Sequence, residues 1–261
     1  LVAPSYLDPA AAGLETKVPR TADVLAEVYR DTKDATYLIP GTQDEHPTPG
    51  ALQAVFCDLG TPKNDDRFTM YQALKDACAD RGIPAEKIRF IHEATNDAQK
   101  ERLFEACRSG DVAVLIGSTQ KMGVGTNIQA RLAHLVHIDA PWRPADVEQR
   151  NGRILRQGNQ NAEVRITQVA TEKSVDAFMW QTLERKAKFS NQVMRGKLDV
   201  REMEDFGDAT VSLAEMKAAS SGNMLLIDKS NADQELSRLE RLKRGHDQDQ
   251  TQLAFNKTIW S

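Results

Sequence analysis

The sequence predicts an α/β fold: a parallel β-sheet sandwiched by helices, followed by a helical C-terminal extension. Two observations carry this expectation. Short apolar runs alternate with amphipathic stretches of helical length, two of which stop at a glycine, Gly82 and Gly110. The run Val112–Ile116 is apolar throughout, as a central parallel strand covered on both faces must be.

Each element follows in order. The Pro- and Ala-rich lead-in, residues 1–16, has no periodic apolar pattern. From Thr21 to Asp34 the spacing of Val24, Leu25, Val28 and Tyr29 predicts an amphipathic helix. Residues 39–50 are polar and broken by Pro and Gly, and read as a loop insertion. Leu52–Leu59 is an apolar run, hence a buried strand, and Phe68–Arg81 carries the helical stripe Tyr71, Leu74 and Cys78. Ile88–Ile91 is a second strand, and Asp97–Arg108 a second helix through Leu103, Phe104 and Cys107. After Val112–Ile116 come two more strands, Leu135–Ile138 and Val164–Val169, giving about five in all. Strands separated by helices predict right-handed crossovers and parallel pairing. Beyond Ser174 the strands stop. Val175, Phe178, Met179 and Leu183 line one helix face that would pack on the sheet. Ala232, Leu236 and Leu239 begin a heptad-like run that decays at Lys243, which fits a short helix better than a sustained coiled coil.

Composition bounds the function. Of 261 residues, 40% are hydrophobic, which supports a real core, yet no apolar run nears the roughly 20 residues needed to span a bilayer. There is no basic, then apolar, secretory leader at the start, and the chain begins without Met, as a fragment or a processed product would. Cys57, Cys78 and Cys107 fit neither a disulfide framework nor a zinc pattern, so reduced, buried thiols and a cytoplasmic location are expected. The net charge of −4 does not advertise nucleic acid, but charge is unevenly placed. Between Arg185 and Arg201, six basic residues (Arg185, Lys186, Lys188, Arg195, Lys197, Arg201) face only Asp199, a local +5. Such a segment is either a solvated helix face or a phosphate-binding patch.

The chemistry concentrates between Gly117 and Gly158. A phosphate loop is excluded, because Val124 stands where G-x-x-x-x-G-K-[ST] requires Lys. A dinucleotide fingerprint is excluded because Ile128 replaces the third glycine after Gly123 and Gly125. Asp139-Ala-Pro-Trp142 resembles the catalytic tetrapeptide of DNA amino-methyltransferases, but no cofactor strand and glycine loop precede it. His134 and His137 have a spacing compatible with a metal, yet no carboxylate or thiol completes a shell for them or for His92, and no metal site is expected. Trp142, between two prolines, reads as a packed loop anchor rather than a base-stacking platform.

Gln149-Arg-Asn-Gly-Arg153-Ile-Leu-Arg156 matches Q-x-x-G-R-x-x-R at every fixed position. Two guanidiniums three residues apart would share a helix face and reach one polyphosphate. Their permanent charge and donor forks suit phosphate oxygens. The pattern resembles the sixth motif of superfamily 2 helicases. Upstream, Ser118, Thr119, Gly123, Gly125 and Asn127 resemble the fifth motif, and Thr61-Pro62 stands where the fourth would be. The order of fifth motif, strand, Asp139-Ala-Pro-Trp-Arg-Pro144 loop and Gln-rich sixth motif is similar to the Swi/Snf-type branch. Gly152 stands where that branch has Asp, and Leu155-Arg-Gln-Gly158 replaces its Arg-Ile-Gly-Gln, which widens the resemblance to the superfamily. The stretch from Lys17 to Gly196 is also similar to the helicase part of phage- and plasmid-borne methyltransferase–helicase fusions.

The resemblance implies a C-terminal RecA-like lobe spanning 17–195, with 196–261 a helical tail of unassigned role. It implies Arg153 and Arg156 as arginine fingers, with Gly123, Gly125, Thr126, Asn127, Gln149 and Gln157 in nucleotide binding and coupling. Thr61, Ser118, Thr119 and Lys121 would contact DNA, expected double-stranded and held by its phosphates. ATP and Mg²⁺ would be bound mainly by a first lobe in the same polypeptide, since that lobe's G-K-[ST] loop is missing here and Asp44-Glu45 lies in the Pro- and Gly-broken loop, not after an apolar strand as its Mg²⁺-binding acidic box would. A fused or associated DNA methyltransferase is a further implied partner. Two other classes stand beside this motor: a non-catalytic interaction module on a helicase-like lobe, and a methyltransferase fragment.

Overall fold

The computed structural model describes residues 17–62, 69–122, 127–171 and 175–194, with side chains to 187 in the last stretch, and a few helical residues between 232 and 246. The chain divides into two units: Leu1–Glu172 with Met179–Leu198, and Lys173–Phe178 with Asp199–Ser261. The described residues of the second unit are helical, and Leu236, Leu239 and Leu242 are exposed there.

In the first unit α1 (Lys17–Thr32) precedes a five-stranded sheet. The elements run β1 (Leu52–Phe56), α2 (Met70–Ala79), β2 (Ile88–Phe90), α3 (Asp97–Ser109), β3 (Val114–Gly117), the single turn α4 (Thr119–Met122), β4 (Leu132–His137), α5 (Pro144–Ile154) and β5 (Arg165–Gln168). The long α6 (Val175–Met194) follows. The sheet order is β2-β3-β1-β4-β5 and every pairing is parallel. The fold is the RecA-like α/β arrangement that the sequence predicts.

Alternation along the strands builds two cores. Val55, Val114, Ile116 and Val136 face α1 and α2, meeting Leu25, Tyr71 and Leu74. Leu52, Ala54, Phe56, Leu115 and Leu135 face the opposite way, onto Leu103 and Phe104 of α3 and Ile154 of α5. Burial on both faces is why these strands read as near-continuous apolar runs. Cys57, Cys78 and Cys107 are free and buried, and burial pushes the Cys78 and Cys107 thiols up to about 12.

Three boundaries differ from expectation for identifiable reasons. The Leu52–Leu59 run stops being strand at Phe56, because the Asp139 carboxylate captures the backbone N–H groups of Asp58 (2.5 Å) and Leu59 (2.9 Å) and turns the chain. β4 starts three residues earlier than Leu135, because the polar His134 is buried by side-chain partners that its type does not announce. α5 ends at Ile154, so Arg153 and Arg156 do not share a helix face as their spacing suggests. Leu155 leaves the helical region at φ −83°, ψ 38°, and Asn159 donates from its amide to the freed Ile154 carbonyl (3.0 Å).

Candidate nucleotide and nucleic-acid site at the strand ends

Between β3 and β4 the chain crosses over β1, so loops from three adjacent strands meet at one carboxyl edge of the sheet. Such crossing points are where open α/β sheets bind ligands. The loop after β1 carries Asp58 and Thr61, the turn after β3 carries Ser118, Thr119 and Lys121, and the loop after β4 carries Asp139 and Trp142 before α5.

A buried arginine joins them. Arg150 is 0% exposed. Its Nε donates to Thr119 Oγ1 (2.8 Å), and Nη1 donates to the Asp139 carbonyl (2.9 Å) and His137 Nδ1 (3.3 Å). Nη2 donates to Asp58 Oδ2 (2.7 Å) and Asp139 Oδ1 (3.2 Å), and the guanidinium lies 5.3 Å from the Phe56 ring centre. Asp58 in turn accepts from the backbone N–H of Thr119 (2.6 Å) and from its hydroxyl (2.8 Å). Burial pushes the Asp139 carboxyl upward, while Arg150 and the backbone N–H groups of Leu59 and Asp58 pull it down. Three donors on two oxygens fit the carboxylate form. Burial is likewise the largest cause that brings His137 down to about 4, with Asn151 opposing and Arg150 reinforcing it. Arginine only donates, so His137 accepts at Nδ1 and donates from Nε2 to Asn151 Oδ1 (2.8 Å).

The predicted site residues fall into three groups. Arg153 is half-buried in the last turn of α5, and burial followed by the nearby charge of Arg156 lowers its pKa. Arg156 and Gln157 are exposed in the turn beyond the helix, and the Gln157 carbonyl accepts from Gln129 (3.4 Å). Gln149 is half-buried on α5, and Gly152 is exposed with open space where a Cβ would stand. At the other rim Thr61 and Lys121 are half-buried and Ser118 is buried, while the Thr119 hydroxyl is committed to Asp58 and Arg150. Asn127 is exposed, and its carbonyl accepts from Arg108 (3.1 Å). Gly123, Gly125 and Thr126 lie outside the described residues. So does most of the Arg185–Arg201 segment, of which Arg185 is exposed and Lys186 half-buried.

One reading is corrected. Trp142 is 67% exposed, so it is not a packed anchor; the proline on either side holds the loop while the indole faces solvent. The Asp139 carboxylate is 2% exposed and held by Arg150 and two backbone N–H groups, so it is not presented to a target amine as a methyltransferase tetrapeptide must be. His134 and His137 point to opposite faces of the sheet, three residues apart on one strand, and cannot share an ion. Sequence reasoning missed Arg150 itself, which occupies a variable position of the motif. The available signal was a pair of acidic residues, Asp58 and Asp139, directly after two buried strands.

The fold and this edge define a RecA-like α/β lobe with a polar, arginine-bearing strand-end site. Residues 57–158 match the family model of the helicase conserved C-terminal domain. That segment begins directly after β1, holds β2–β4 and α5 and so the strand-end site, and it is similar to the helicase C-terminal domain. It is similar to Defense against restriction protein B of Escherichia phage P1, at 28% identity over 146 residues, 54% of this chain and 6% of that protein. It is also similar to the uncharacterized ATP-dependent helicase YqhH of Bacillus subtilis, at 38% identity over 90 residues, 34% of this chain and 15% of that one. The human DNA annealing helicase and endonuclease ZRANB3 is 26% identical over 141 residues, 53% of this chain and 13% of the relative. The chain thus spans 15% or less of the length of these relatives. Among solved structures, the C-terminal part of the Fun30 ATPase domain superposes with a TM-score of 0.46 at 19% identity, covering 64% of this chain and 45% of that one.

Proposed function

We propose that this chain is the second motor lobe of an ATP-dependent DNA helicase or translocase, and that it supplies Arg153 and Arg156 to ATP bound mainly by a first lobe. The observation that carries this reading is the arginine pair of the Q-x-x-G-R-x-x-R pattern at the strand-end edge, with Arg153 half-buried in the last turn of α5 and Arg156 exposed in the turn beyond it. Two neighbouring guanidiniums suit a polyanion, which accepts charge-assisted hydrogen bonds from both. The helix C-terminus adds a favourable negative field for Arg153. An arginine placed on the developing charge of a transferred γ-phosphate is worth roughly 10³–10⁵ in rate.

This cationic edge fits phosphate and not Mg²⁺, so the ion belongs with the first lobe. Gly123, Gly125, Thr126, Asn127, Gln149 and Gln157 would line the nucleotide side. Thr61, Ser118 and Lys121 would face DNA phosphates, with the exposed Trp142 available to stack on the nucleic acid. The lobe would occupy 17–195, act in the cytoplasm beside a first lobe and a fused or associated DNA methyltransferase, and carry 196–261 as a helical tail.

The test uses a two-lobed protein carrying this lobe. Arg153→Ala should cut DNA-stimulated ATP hydrolysis on the order of 10³-fold or more while leaving the circular dichroism spectrum unchanged. Turnover at the unsubstituted rate would remove the finger role.

A further inference from the structure

Arg150 stands at one of the variable positions of Q-x-x-G-R-x-x-R, so the motif assigns it nothing. Its five N–H groups nevertheless meet five acceptors, on Thr119, His137, Asp139 twice and Asp58. A guanidinium has five donors in a planar fork, and here none is spare. The acceptors come from the ends of three strands: Asp58 follows β1, Thr119 follows β3, and His137 and Asp139 end and follow β4. The next residue, Asn151, is also held, by His137. Arg153 lies three residues on, about one helical turn from this hub.

Asp58 is the second half of the device. It ties the first residue of α4 through both backbone and hydroxyl of Thr119, and is itself tied to α5 through Arg150. The turn bearing Ser118 and Lys121 and the helix bearing Arg153 are therefore joined through Arg150, Asp58 and Thr119. A dense interior with a single satisfied arrangement transmits displacement instead of absorbing it.

Resting on the motor reading above, we propose that Arg150 is a positioning residue: it registers the turn that carries Arg153 with the Ser118–Lys121 turn. Nucleic acid at one turn and phosphate at the other thereby bias each other's binding. Lysine cannot replace it, because three rotatable donors on a point charge leave at least two of the five acceptors unmet.

The experiment measures how a non-hydrolysable ATP analogue shifts the half-saturation of a double-stranded oligonucleotide by the two-lobed protein. Coupling between sites of this kind is typically about 5–150-fold. Arg150→Lys and Asp58→Asn should bring the ratio close to one while each ligand still binds separately. A purely structural role would instead lower the folded fraction and leave the ratio of the folded fraction intact. Where Arg150→Lys does not fold, Asp58→Asn, which keeps the arginine and the volume, decides alone. A full ratio in either folded variant overturns the role of Arg150. No linkage in the unsubstituted protein overturns the motor reading, and the positioning role with it.

Discussion

Two histidines on β4 show how a polar side chain enters a parallel strand buried on both faces. His134 donates from Nδ1 to Gln53 Oε1 (2.8 Å) and accepts at Nε2 from the Thr167 hydroxyl (2.9 Å), while Gln53 donates to the Leu25 carbonyl (2.9 Å). These partners fit a neutral ring. Burial, then the Arg165 charge, lowers its pKa from 6.5 to about 4, against a smaller opposing pull from Glu27. His137 is lowered to about 4 as well, on the other face. The folded state resists both protons. The stability each group supplies is therefore complete above about 6.5 and is lost as pH falls through about 4. A shift of this size is worth on the order of 3 kcal/mol per group. His134→Gln should flatten the decline in urea-unfolding stability between pH 6.5 and 4 by close to one proton, and an unchanged slope would contradict the assignment. At this scale the sequence was only partly legible. The arginine pair was visible because its spacing is a fixed motif, whereas the partners of His134, His137 and Arg150 lie up to 92 positions away and only the fold brings them together. Trp142 was misjudged because flanking prolines fix a backbone, not the direction of a side chain.

At the scale of elements, buried strands and glycine-closed helices were readable, since uniform apolarity and a left-handed residue after a helix are local signals. Gly110, at φ +91°, closes α3 in that way. The ends of β1 and α5 were not readable, because Asp139 and Asn159 set them from elsewhere in the chain. Two glycines in the motif block make opposite predictions. At Gly117 a Cβ would come within 2.5 Å of Met122 Cγ and 2.7 Å of Ile91 Cγ2, so the strand end admits α4 only because no side chain intervenes. Gly117→Ala should destabilise the lobe by about 1–3 kcal/mol through overpacking. At Gly152 nothing lies within 4 Å, and the position is helical. Gly152→Ala should therefore raise stability by about 0.4–1 kcal/mol by restricting the unfolded chain. Denaturant midpoints at constant slope measure both. A loss at Gly152 would mean that the Gly152 backbone tolerance is needed in the folded lobe.

At the scale of the whole molecule the charge balance and the DNA reading pull against each other. A net charge of −4 repels a polyanion at long range, so attraction has to be local. Among the described residues the cations at the strand-end edge left for DNA are few, Lys121 after β3 and Arg143 after β4, since Arg153 and Arg156 are reserved for nucleotide in the proposed function. Binding through a small number of phosphate contacts has a definite signature. The logarithm of affinity falls linearly with the logarithm of salt, by about 0.9 for each phosphate neutralised. Lys121→Gln in the two-lobed protein should lower affinity by a similar factor on any duplex sequence and reduce that slope by about 1. Arg153→Ala should leave the slope nearly as it was, because its phosphate is that of ATP. Trp142→Ala should weaken binding without altering the slope, since stacking releases no counterion. Fluorescence anisotropy across a salt series separates the three. A complex whose affinity ignores salt, or that binds one sequence far more tightly than others, would mean that this edge reads bases and not backbone.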